Sequence, residues 1–116
     1  MLGPVDATDL GITLAHDHLV FDGTFMYVDP PDGADRHLAD EEITLDNRGW
    51  VAYHWTSNHH NVSLDSEAVA IAELGRFLTA GGRTIVDPTN LGLGRDPEPV
   101  VRIAEASGAQ IILGAG

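Results

Sequence analysis

Two apolar segments, Arg83-Thr84-Ile85-Val86-Asp87 and Ala109-Gln110-Ile111-Ile112-Leu113, each follow a stretch of helical periodicity. This alternation constrains the fold more than any other feature, because parallel strands need a crossover of helical length between them. The first helix is expected over residues 66–80, with Asp65 as its cap and Glu67 in its first turn. Ile71, Leu74 and Leu78 share one face, Ala68 and Phe77 lie beside them, and Gly81-Gly82 stops the helix. The second helix opens on Asp96 with Pro97 in its first position, buries Val100, Val101 and Ala104, and ends at Gly108. A short strand at residues 11–15 precedes both units, separated from them by a long loop. The expectation is an α/β fold: about three parallel strands, two helices and a long loop after strand one.

The first strand ends in His16-Asp17-His18. Extended side chains alternate faces, so His16 and His18 point one way and Asp17 the other. Two neutral imidazoles on one face suit a transition metal such as zinc; the spacing alone equally fits one half-buried histidine bonded to backbone and one solvated. In a parallel sheet all strands end on one side, which would bring His16, Asp87 and the 88–96 loop to one face. Asp87, next to Pro88, reads as a turn-forming residue rather than a ligand. The glycines of Thr89-Asn90-Leu91-Gly92-Leu93-Gly94 match neither the dinucleotide fingerprint nor the P-loop.

Between Gly23 and Ser63 the periodicity breaks down. Asp29-Pro30-Pro31-Asp32-Gly33 is a turn cluster, and the acidic run Asp40-Glu41-Glu42-Ile43 could open a short helix. Arg48-Gly49-Trp50-Val51-Ala52-Tyr53-His54-Trp55 holds both tryptophans, which need a packed surface and so argue for an ordered loop. His59 and His60 are adjacent, hence a poor chelating pair, and are expected in a solvated loop.

Composition narrows the partners. The chain has 18 acidic residues against 6 basic ones, a formal charge of −12. Such a surface repels nucleic acid and anionic membranes, and neither is expected as a partner. There is no cysteine, so any transition metal must be held by histidine and carboxylate. All six bases are arginine and lysine is absent. No basic leader and no long apolar run is visible, so a cytoplasmic location is the default expectation.

Several separated motifs now fall together in order. Gly3-Pro4-Val5, Leu10-Gly11-Ile12-Thr13-Leu14-Ala15-His16-Asp17-His18-Leu19, Gly81-Gly82-Arg83-Thr84-Ile85-Val86-Asp87-Pro88-Thr89, Gly92-Leu93-Gly94-Arg95-Asp96 and Ile112-Leu113-Gly114-Ala115-Gly116 resemble the phosphotriesterase family of the amidohydrolase superfamily. Ile43-Thr44-Leu45-Asp46-Asn47-Arg48-Gly49-Trp50 and Ser57-Asn58-His59-His60-Asn61 look most like its phosphotriesterase-related branch. One departure is Asp17, where the family more often carries glutamate.

The resemblance implies a metal-dependent hydrolase on a TIM (β/α)8 barrel with two divalent metal ions, zinc being the expected one. It places His16 and His18 as ligands of the more buried ion. The family's other ligands come from later strands: a carboxylated lysine or glutamate, two more histidines and an aspartate. None has a counterpart here, and the lack of lysine makes this definite for the bridging lysine. A barrel of this type needs roughly 250 residues. The 116 residues therefore read as the N-terminal part of such a hydrolase domain, acting on a small ester, lactone or phosphotriester. No catalytic or substrate-binding residue is assigned. The alternative is a non-catalytic interaction module that self-associates, as a homo-oligomer, through its open sheet edge.

Overall fold

The computed structural model describes residues 2–115. Gly116 of the last motif lies outside the described residues. In chain order the elements are β1 (Ile12–Leu14), β2 (Phe21–Asp22), α1 (Arg48–Tyr53), β3 (Ser63–Leu64), α2 (Glu67–Thr79), β4 (Gly82–Asp87), α3 (Pro97–Ser107) and β5 (Gln110–Leu113), with short 3-10 turns between them. The chain divides into two compact units, residues 1–21 with 65–116, and residues 22–64. No helix among the described residues is long and apolar enough to cross a membrane.

The first unit is the expected parallel α/β arrangement. Its sheet has the order β1-β4-β5, with both pairings parallel. Thr13 pairs with Thr84 and Leu14 with Ile85, after an irregularity between Ile12 and Thr13. Beyond β1 the register continues, as the Asp17 amide donates to the Val86 carbonyl at 3.1 Å. One face of the sheet is covered by α2 and α3. Leu74, Ile85, Val100, Ile103 and Ile111 make the centre of the core, with Phe77 and Leu78 packed against it. The outer strands are less covered: Ile12 and Leu14 of β1 and Ile112 of β5 are exposed.

The helix ends follow local chemistry. Asp96 caps α3 by accepting from the Glu98 amide, Pro97 is its first residue, and Gly108 ends it at φ 75°. The cap of α2 is Ser66, which accepts from the Val69 amide, and not Asp65. Both residues carry an acceptor oxygen; the extended backbone at Ser66 places its hydroxyl over the first turn. Two expected core positions also shift. Ala68 is exposed and Ala70 buried, while Ile103 in α3 is fully buried and Val101 only half-buried. Gly82 has a packing reason: a Cβ there would stand 2.1 Å from the Phe77 ring. The chelate Glu67–Arg102, at 2.7 and 3.1 Å, ties the first turn of α2 to α3.

The second unit is held by buried amides more than by aromatics. The Asn58 side chain, with no exposed surface, donates to the Leu38 and Glu41 carbonyls at 2.7 and 2.9 Å and accepts from the Asn61 amide at 3.1 Å. Asn47 closes a second turn between Thr44 and Glu42. Trp50 lies half-buried on α1, donates to Asp35 at 2.8 Å and stacks on His54. Trp55 is exposed, contrary to the expectation that both tryptophans are packed, and Tyr53 is exposed as well. The acidic run at residues 40–43 opens no helix; it falls between a 3-10 turn at Gly33–Ala39 and α1. His59 is not simply solvated but stacks on Tyr27 at 3.9 Å between ring centres.

Candidate metal half-site

The site is built where β1 and β4 end. β1 delivers His16 and His18 within a bend, and their rings lie edge to face with centres 5.5 Å apart. Two features fix this bend. The Asp17 amide continues the ladder to Val86, and the Asp17 carboxylate accepts from the His18 amide at 3.0 Å. His16 is exposed and His18 half-buried. Phe21 packs beside the His18 ring at 5.5 Å between centres.

Beneath the rings, β4 ends in Asp87, which has no exposed surface. Its Oδ1 accepts the Thr89 amide at 2.8 Å and also the Thr89 hydroxyl. Its Oδ2 accepts the Leu19 amide at 3.3 Å. Asp87 is thus the turn-forming residue expected beside Pro88, and it additionally holds the backbone that follows His18. The direct approach of His18 Nδ1 to Asp87 Oδ1 is 3.8 Å, beyond hydrogen-bond range. The connection runs instead through Thr89, whose Oγ1 lies 2.7 Å from His18 Nδ1.

Thr89 is the member that sequence reading missed. It is 2% exposed and separated from His18 by 71 positions. The available signal was the parallel register, which sets the residues after β1 beside those after β4.

The donors present fit half of a transition-metal centre. Two imidazoles share one place, and the Nδ1 contact of His18 leaves Nε2 for a ligand. Among the described residues, no group of three or more histidine, aspartate, glutamate or cysteine side chains could hold a metal ion. His37, His54, His59 and His60 belong to the second unit.

The chain has relatives of known sequence and structure. A sequence model of the Phosphotriesterase family matches residues 1–116, and the chain belongs to that family. It is similar to a Phosphotriesterase-related protein of Nematostella vectensis, with 38% identity over 98% of this chain and 33% of the relative. It is also similar to the N-acetyltaurine hydrolase of Xenopus tropicalis, with 38% identity over 100% of this chain and 33% of that protein. Among solved structures, a resiniferatoxin-binding protein from Rhodobacter sphaeroides superposes with a TM-score of 0.92 at 38% identity, covering 98% of this chain and 32% of that one. The chain thus carries part of the TIM-barrel fold of this family. It spans about a third of the length of the curated relatives it matches.

Proposed function

We propose that the protein is a metal-dependent hydrolase in which His16 and His18 ligate a divalent ion, zinc in the first instance. The observation that carries this reading is the ring pair at the C-terminal end of β1, with one imidazole already anchored through Nδ1. In barrels of this architecture that end of the strands is where reactive groups gather. Two imidazoles supply part of the usual ligand set of zinc, so the remaining donors would come from outside residues 1–116. A divalent ion held by His16 and His18 together with further donors would supply an acidified water and polarise the scissile bond. This chain's own contribution is positional: Asp17 holds the bend, and Asp87 and Thr89 hold the far side of His18.

The substrate class we propose is a small ester, lactone or phosphotriester. Similarity to an N-acetyltaurine hydrolase favours a second reading, cleavage of an N-acyl amide by the same activated water. Substrate pieces differ between these readings, whereas the role of the histidines does not.

The test is zinc binding by the protein, read by equilibrium dialysis, followed by hydrolysis of an aryl ester, a lactone, a phosphotriester and an N-acetyl amine. Zinc binding is expected in the parent and lost in His16→Ala and in His18→Ala. Parental binding in both variants would sink the assignment.

A further inference from the structure

The Asp87–Thr89–His18 contacts determine which nitrogen of His18 carries the proton. Oδ1 of Asp87 accepts the Thr89 backbone N–H at 2.8 Å, so this oxygen acts as an acceptor. The Thr89 hydroxyl, in contact with the same oxygen, therefore donates to it. A threonine hydroxyl has one proton, and that proton is now committed. Toward His18 the hydroxyl oxygen can only accept, and it lies 2.7 Å from Nδ1. Nδ1 must then bear the hydrogen, which leaves Nε2 with its lone pair bare.

The geometry is also rigid. Asp87 and Thr89 are almost completely buried, and Asp87 is held from a third direction by the Leu19 amide at 3.3 Å. The half-buried His18 ring is thereby fixed at one nitrogen while its neighbour His16, exposed and 5.5 Å away between ring centres, shares the place toward which a ligand would come.

We infer that Thr89 is a positioning residue: its hydroxyl, tied to the buried Asp87 carboxylate, accepts the Nδ1–H of His18 and presents Nε2 as the nitrogen that takes a divalent metal. This inference rests on the reading of His16 and His18 as ligands, but its tautomer component stands on this chain alone. A ligating imidazole is generally oriented through its second nitrogen, and loss of such a partner lowers metal affinity about 10- to 100-fold.

The experiment uses histidine-selective 15N NMR on the metal-free protein at about pH 8, above the ordinary imidazole range. The parent should show His18 with the proton on Nδ1. Thr89→Val, which keeps the volume but removes the acceptor, should lose that preference and bind zinc roughly 10- to 100-fold more weakly. Thr89→Ser should restore both. A parent with the proton on Nε2 of His18 overturns the inference without any variant. So does Thr89→Val with parental tautomer and parental zinc affinity. If His18→Ala loses zinc while Thr89→Val behaves as the parent, only the positioning role fails. If His18→Ala binds zinc as the parent does, the ligand reading itself fails and the inference falls with it.

Discussion

Replacing Asp87 with alanine withdraws the acceptor on which the Thr89 amide, the Thr89 hydroxyl and the Leu19 amide converge. These donors are unequal. The hydroxyl can rotate toward another acceptor, so its loss is small. The Thr89 amide cannot turn, is buried and loses a 2.8 Å bond, which costs about 1–3 kcal/mol. The Leu19 bond is longer, at 3.3 Å, and belongs at the low end of that range, about 1 kcal/mol. Removing a buried charge returns part of the sum. The expected net destabilisation is therefore about 2–3 kcal/mol. Asp87→Asn separates the terms. Its amide oxygen can still serve Thr89, while its NH2 group must face the Leu19 amide as donor against donor. The expected loss is about 1 kcal/mol. Urea unfolding, followed by tryptophan fluorescence and circular dichroism, measures both, with a constant m-value showing that the denatured state is unchanged. An Asp87→Ala loss below about 1 kcal/mol, or equal losses for the two variants, would refute the account of Asp87 as a backbone anchor.

Two further perturbations probe the frame around the site. Gly82→Ala places a Cβ 2.1 Å from the Phe77 ring, so either the ring or β4 must move; overpacking of this kind costs about 1–3 kcal/mol, and thermal unfolding should show it, whereas Gly49→Ala, with open space around its Cβ, should not. Glu67 is held below its ordinary carboxylate range mainly by the Arg102 hydrogen bonds. Its folded value lies below its unfolded one, so the pair stabilises above the unfolded value and the contribution is lost as pH falls through the folded value. Glu67→Gln should thus lower the unfolding midpoint slightly at neutral pH and not at all in acid; a difference that persists unchanged at low pH would show that the pair is not its cause.

What could be read from the sequence was what short-range chemistry decides. Asp96, Pro97 and Gly108 bounded α3 correctly because a cap, a fixed φ and a left-handed glycine act within a turn or two. The α2 cap moved from Asp65 to Ser66 because two neighbouring acceptors compete and backbone direction decides between them. The burial of Ile103 instead of Val101 depends on how α3 faces its neighbours, which periodicity alone leaves open. The loop after β1 is ordered as expected, but the source of its order was not legible, for a related reason. Its order comes from Asn47 and Asn58 satisfying backbone groups, and nothing about an asparagine in sequence distinguishes a buried clamp from a solvated turn.

The site shows the same division more sharply. The His16–His18 pair was legible because alternation is local, but the pair becomes a place only through register. Parallel pairing of Thr13 with Thr84, continued by Asp17 against Val86, carries His18 to the end of β4, where Asp87 and Thr89 wait two residues apart. A shift of one residue between β1 and β4 would turn alternate side chains to the opposite face and separate His18 from Thr89. The irregularity between Ile12 and Thr13 lies just before this register is established, and only five positions of chain separate Thr13 from His18. The precision of the candidate site therefore resides less in the histidine motif than in the strand pairing that delivers it.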